Sequence, residues 1–228
     1  DGTLTAFSKK YPDEKTAVET EFKIGECYYY LGKEHLQMKQ KEIGEQEIDW
    51  GREVLNDLLT HFPEAAMTDQ AAFMLGNLDN EQGRYDDAIV TYKRVTRDHT
   101  ESPIAPEAQF ALGKAYESKG EMDKACEEYV RLAYKYPDSP LLADAMIRIG
   151  LYFFDKKLYP IAVSVFERFI EKFKDHEDVQ KVYFKMGLAY ILSESFIEGA
   201  EHFKDFIDKF PNDKQLRPAA MYWAGDAY

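Results

Sequence analysis

The chain has 228 residues, 45% hydrophobic and 31% charged. That is enough apolar surface for a packed core and too much for a disordered chain. Its 42 acidic against 29 basic residues give a net charge of −13, which repels a nucleic-acid backbone and an anionic membrane surface alike. There is no basic stripe to offset that charge, no run near the roughly 18 apolar residues of a membrane span, and no signal-peptide core in DGTLTAFSKK. Two cysteines exclude a disulfide scaffold.

The length fits one or two globular domains or a single repeat array, and the landmarks favour the array. Residues 1–12, with Leu4, Phe7 and Tyr11 before Pro12, read as the tail of a preceding second helix. Glycines then recur at 25, 76, 113, 150, 187 and 225, in steps of 51, 37, 37, 37 and 38 residues. An aromatic follows most of them three residues on, as in FKIGECY, FALGKAY and FKMGLAY; Asp79 takes that slot after Gly76. Twelve residues beyond the glycine comes a small residue (Ala88, Ala125, Ala162, Gly199), and four further on an aromatic (Tyr92, Tyr129, Phe166, Phe203). The units read as 13–63, 64–100, 101–137, 138–174, 175–211 and the first helix of a truncated unit, 212–228. Both ends lack a polar capping helix, which suggests a window of a longer protein.

Within each unit the apolar spacing is helical on both sides of a turn, so each unit is a helix hairpin. Gly83 and Gly120 end first helices; Pro137 and Pro211 end second helices. The repeat glycine and the small residue are expected where the two helices cross.

The step of 51 exceeds the others by 14 residues (51 − 37), within KEHLQMKQKEIGEQEIDW, near 33–50. This stretch of good helix formers predicts one lengthened helix protruding from the array. Leu36, Met38, Ile43 and Ile48 are then spare, and suit a contact with a partner or with a second copy in a homo-oligomer.

Catalytic and metal motifs are missing from the sequence: no HExxH, no P-loop, no G-x-S-x-G. His35, His61, His99, His176 and His202 do not pair at ligand spacing. Asn77, Asp79 and Glu81 read as the polar end of a helix, not a calcium loop. Cys27 and Cys126 are expected as buried small residues, too far apart to bridge. The expectation is a non-enzyme without cofactor or metal.

The glycine, aromatic, small residue, aromatic and proline, in that order and spacing, resemble the tetratricopeptide repeat (TPR) family. The resemblance implies an all-α, right-handed superhelical solenoid of antiparallel hairpins, here with a repeat of about 37 in place of the family's 34. YPDSPLLADAMIRIG looks like the TPR proteins of the bacterial envelope, such as the outer-membrane assembly lipoprotein BamD and the Tol-Pal-associated coordinators. That implies a periplasmic or outer-membrane-associated scaffold for a protein or peptide partner. The alternatives are a superhelical region of a larger cell-envelope enzyme, and a cytoplasmic location. By resemblance the groove positions are Phe22, Glu26 and Tyr29; Phe73, Asn77 and Asn80; Phe110, Lys114 and Glu117; Ile147, Leu151 and Phe154; Phe184, Leu188 and Ile191. The first units give a mixed polar groove. The last two give an apolar one, so Leu151, Phe154, Leu188 and Ile191, with Phe110, Ile147 and Phe184 beside them, are the expected partner contacts. Asn77 alone occupies a place like that of the carboxylate clamp of chaperone adaptors, which argues against that role.

Overall fold

The structure is a computed structural model that describes residues 14–65, 67–98 and 100–226. The expected helix tail at 1–12, His99 and the end of the last unit lie outside the described residues. Eleven helices and no strand occur among the described residues. They are α1 (Glu14–Gln37), α2 (Lys41–His61), α3 (Thr68–Glu81), α4 (Tyr85–Asp98), α5 (Ala105–Lys119), α6 (Met122–Lys135), α7 (Leu142–Asp155), α8 (Tyr159–Lys172), α9 (Val179–Leu192), α10 (Phe196–Lys209) and α11 (Arg217–Asp226). They fall into two compact units, Asp1–Ala125 and Cys126–Tyr228.

In the first unit each helix from α1 to α5 packs on the next, and α3 also touches α1 and α5. The first helices α1, α3 and α5 thus lie side by side in one layer. In the second unit α7 to α11 pack in the same serial way. Gly83 and Gly120 sit in the left-handed region, at φ 72° and 84°, and Gly120 N–H closes α5 on the Glu117 carbonyl at 2.8 Å. The equivalent turns elsewhere hold Lys39, Lys157 and Glu194, at φ 62°, 60° and 64°. A side chain there costs about 1–2 kcal/mol, so the turn geometry is imposed by the packing of the arms.

The expected crossing of repeat glycine and small residue is seen in the long hairpin, where a Cβ on Gly51 would lie 3.3 Å from the Gly25 carbonyl, and the repeat glycine also lies under a large side chain of the facing helix. A Cβ on Gly76 would stand 2.6 Å from Tyr92, and one on Gly187 2.7 Å from Phe203. Gly150 lies under Phe166, and Gly25 under Leu55. The glycine therefore makes room for the ring one turn beyond the small residue. The small residue in turn meets a side chain of the first helix beyond the repeat glycine: Gly199 meets Ile191, and Gly51 meets Tyr28. Tyr92, Phe166 and Phe203 are all buried.

The insertion is shared between two helices. From Gly25, α1 runs twelve residues to Gln37, where α3 runs five from Gly76 to Glu81. On the return arm α2 starts ten residues before Gly51, where α4 starts three before Ala88. Each arm gains seven residues (12 − 5 and 10 − 3), two turns or about 10 Å. The close approach is repeated one heptad up: a Cβ on Gly44 would lie 2.8 Å from the Gly32 carbonyl, and one on Gly32 2.6 Å from Ile48. Ile48 is fully buried and Leu36 packs on the core of the unit. Neither is spare, which corrects the expectation for both. Met38 and Ile43 are exposed, near the tip.

Cys126 is buried but Cys27 is exposed. Cys27 lies two residues past Gly25, about 200° round α1 from the α2 contact. Asp79 is also more than a polar helix end. It is buried in the aromatic slot, with Arg52 Nε 2.8 Å and Arg84 Nε 3.7 Å away. Burial holds its carboxyl above the ordinary range, against the pull of the two arginines. Arg84 also reaches Asp49 at 3.1 Å, and Lys33 reaches Glu81 at 3.1 Å. These pairs tie the long hairpin to the next one.

In the second unit Tyr183 and His202 stack with ring centroids 4.1 Å apart, and His202 Nε2 donates to the Tyr183 carbonyl at 2.8 Å. Burial lowers the His202 pKa below its ordinary 6.5.

Deleting residues 31–37 together with 41–47 should leave a hairpin of ordinary length and a cooperative thermal transition. Deleting 31–37 alone shifts one arm against the other by a heptad, and its helical signal should melt earlier than that of the double deletion. For His202, the unfolded chain takes up the proton first as pH falls. Its contribution is therefore intact above pH 6.5 and is lost as pH drops through the window below, at no more than about 1.4 kcal/mol per pH unit. Urea midpoints at pH 7.5 and 5.5 should differ less in His202→Phe than in the parent.

Candidate partner-binding clefts

In the first unit α1 and α3 enclose a cleft of about 760 Å³. Because α1 overhangs α3 by its extra heptad, Lys33, Glu34 and Gln37 continue the wall begun by Phe22, Glu26 and Tyr29. The facing wall is Gln70, Phe73, Met74 and Asn77. Phe22 and Phe73 form its floor: Phe22 is buried, and Phe73 is half-buried with its ring 5.8 Å from that of Tyr92.

Two polar groups of the cleft are fixed from behind. Tyr92 Oη donates to Asn77 Oδ1 at 2.7 Å. Burial pushes the Tyr92 phenol far above its ordinary pKa, so it stays a donor at every physiological pH. The bond fixes the Asn77 amide, whose N–H groups and second carbonyl lone pair remain to offer. On the other wall Lys33 Nζ donates to Tyr29 Oη at 3.3 Å, which leaves the Tyr29 O–H as a donor. Tyr30 stands edge-on to Tyr29 at 5.2 Å and is 60% exposed. Lys23 pairs with Glu26 at 2.5 Å, and Lys33 with Glu81, so both cations of the cleft are already matched.

The expected apolar contacts lie in separate places. Phe110, on α5 in the first unit, is half-buried. In the second unit Ile147, Leu151 and Phe154 on α7 are half-buried. Phe154 has the Tyr159 ring at 5.5 Å and the Lys185 ammonium 4.3 Å above its face. Phe184, Leu188 and Ile191 on α9 pack against the core formed by Phe203 and Phe206. Phe184 meets those rings at 5.2 and 5.8 Å, and Ile191 fills the space over Gly199. A smaller hollow of about 310 Å³, which the sequence did not disclose, lies among α6, α7 and α8, with Val130, Met146, Ile149 and Phe153 in its lining.

The groove positions Phe22, Glu26, Tyr29, Phe73 and Asn77 all line this cleft; what the sequence did not disclose is the extension of its wall by Lys33, Glu34 and Gln37. The signal was present in the spacings Gly25–Gly32 and Gly44–Gly51, each of seven residues, which mark a heptad in both arms. Among the described residues no group of three or more His, Cys, Asp or Glu could hold a metal ion, and no helix is long and apolar enough to cross a membrane.

Replacing Tyr92 by Phe removes the donor behind Asn77 and leaves its carbonyl oxygen unpaired. The expected loss is about 1 kcal/mol, read as a lower urea midpoint. Gly76→Ala should cost more. Overpacking against a buried ring costs about 1–3 kcal/mol, against a helix-propensity gain of at most about 1 kcal/mol.

Residues 73–140 match the family model for the tetratricopeptide repeat. No curated protein matches the chain. Among solved structures, a tetratricopeptide repeat protein from Parabacteroides merdae is 16% identical, with a TM-score of 0.60 over 90% of this chain and 73% of that one. YrrB, a TPR protein with an unusual peptide-binding site, is 15% identical, with a TM-score of 0.60 over 97% and 98%. MamA is 21% identical, with a TM-score of 0.60 over 82% and 92%. At these identities the likeness is one of fold: the hairpins are arranged as in tetratricopeptide-repeat solenoids.

Proposed function

We propose that this chain is a non-catalytic scaffold that docks a segment of a partner protein against its first helices. The observation that carries the reading is the α1–α3 cleft, with the Asn77 amide held ready by Tyr92 behind it. Burying apolar side chains on Phe22 and Phe73 supplies the affinity, at roughly 25 cal/mol per Å² before the costs of association. The fixed amide selects the orientation. The peptide-binding site of YrrB, a protein of the same fold, agrees with a peptide occupant.

The α7 row offers a second contact through Ile147, Leu151 and Phe154. The packing of Phe184, Leu188 and Ile191 on the hairpin core makes those three supports of that row. We place the scaffold in the bacterial envelope, periplasmic or outer-membrane associated. This placement rests on the resemblance of the YPDSP-to-glycine segment, and fractionation of the tagged full-length protein tests it: recovery with cytoplasmic markers ends it.

The docking reading is tested by partner recovery from the source organism on immobilised wild type, Asn77→Ala and Leu151→Asp. Asn77→Ala should lower recovery of a specific partner about tenfold with the helical signal unchanged, and Leu151→Asp should lower it less. Equal recovery on all three, with folding retained, would falsify the reading.

A further inference from the structure

We propose that the hollow among α6, α7 and α8 binds a medium-chain carboxylate, with the hydrocarbon tail along α7 and the anionic head between Arg168 and Lys172. The hollow shares no residue with the α1–α3 cleft and is independent of the docking reading.

Its shape suits a chain. Leu142, Met146, Ile149 and Phe153 follow one another along α7 in steps of four, three and four residues, so they line one face of that helix. The rise from the first to the last makes the hollow about 16 Å long. Leu142, Met146 and Ile149 are buried and form its floor. Ala133 of α6 and Val165 of α8 complete the apolar walls. The volume is about 310 Å³, at the low end of the range for small-molecule sites. At roughly 30 Å³ for a group the size of a water or a methylene, it holds about ten of them. A helix is about 10 Å across with its side chains and cannot enter. A single leucine or phenylalanine presented by another protein is too short for the hollow and would leave part of its lining without partner atoms.

Charge places the head. α7 and α8 are the two arms of one hairpin, so the last turn of α8 lies beside the first turn of α7. Lys172 is fixed there: its Nζ donates to the Pro137 carbonyl at 2.9 Å, and two of its three N–H groups remain. Arg168 stands one turn back on the same face of α8 and is exposed. Among the described residues Arg168 has no carboxylate within salt-bridge distance, and no aspartate or glutamate lines the hollow. This occurs in a chain with 42 acidic and 29 basic residues, where Lys33, Lys119 and Lys124 each hold a carboxylate of the chain itself. A guanidinium and an ammonium at one end of an apolar hollow call for an anion joined to a hydrocarbon. A carboxylate meets the guanidinium fork in bidentate fashion.

The experiment is calorimetric titration of the whole chain with decanoate below its micellar concentration, beside butanoate, decylammonium and a leucine-rich acidic tripeptide. Decanoate should bind one to a chain, about tenfold tighter than butanoate, which lacks the tail, or decylammonium, which has the wrong charge. Arg168→Gln and Lys172→Gln should each weaken it about threefold or more. Ala133→Phe, which fills the hollow from its wall, should weaken it about tenfold. Arg168 and Lys172 are exposed, so their variants test the site without disturbing the fold. Decylammonium binding as tightly as decanoate, decanoate binding that neither cation variant weakens, or no decanoate binding at all would each overturn the proposal. The tripeptide binding as tightly as decanoate, with the same loss in Arg168→Gln, would also overturn it, in favour of a segment of another protein.

Discussion

A ring lying on a bare glycine is the contact on which the rest of this structure depends. Tyr92 on Gly76, Phe166 on Gly150 and Phe203 on Gly187 repeat it with little change. The missing Cβ lets the ring approach the first helix, and the ring's size then fixes how far apart the two axes lie. Because the ring sits on one helix and the glycine on the other, the contact also sets the register between the arms. A slip of one residue would put a side chain where only hydrogen fits, and interiors packed to crystal density do not absorb such a change.

That register explains how the first hairpin can be longer without being disordered. Helical faces recur closely every seven residues. Adding seven to each arm places Gly32 and Ile48 where Gly25 and Leu55 stand one level below, so the contact is copied and not broken. Once the arms are long, α1 reaches past the end of α3, and the overhang becomes the wall of a cleft. The ion pairs from Arg52, Arg84 and Lys33 that join the long hairpin to its neighbour occur where the long hairpin meets the ordinary one. Asp79 departs from the aromatic pattern at that junction, in the slot that faces Arg52.

Much of this was legible in the sequence, and the rest was hidden for identifiable reasons. The hairpin boundaries could be read because glycine, small residue and aromatic recur at fixed steps. The side chain that covers the glycine could not, because position along a helix does not say which residue one turn beyond the crossing leans over it. The turns at Lys39, Lys157 and Glu194 carry no glycine to mark them. The insertion was visible as 14 extra residues, but a count alone does not say whether one helix grew or two. Ile48 looked spare because it had no place in a unit of 37 residues; in the long hairpin it lies against Gly32. Leu188 and Ile191 are groove positions by resemblance, and the structure adds that both also pack against the core of their hairpins, a contact that spacing along one helix does not reveal.

The polar character of the cleft has the same origin as the fold. Tyr92 is the ring that lies on Gly76, and its hydroxyl extends from that buried position to Asn77, the next residue after the glycine. At the corresponding contacts of the second unit the ring is Phe166 or Phe203, which has no hydroxyl to extend, and the residue after the glycine is Leu151 or Leu188. At Gly76 the buried ring thus shapes the chemistry of the surface in front of it, because its hydroxyl holds the Asn77 amide in place.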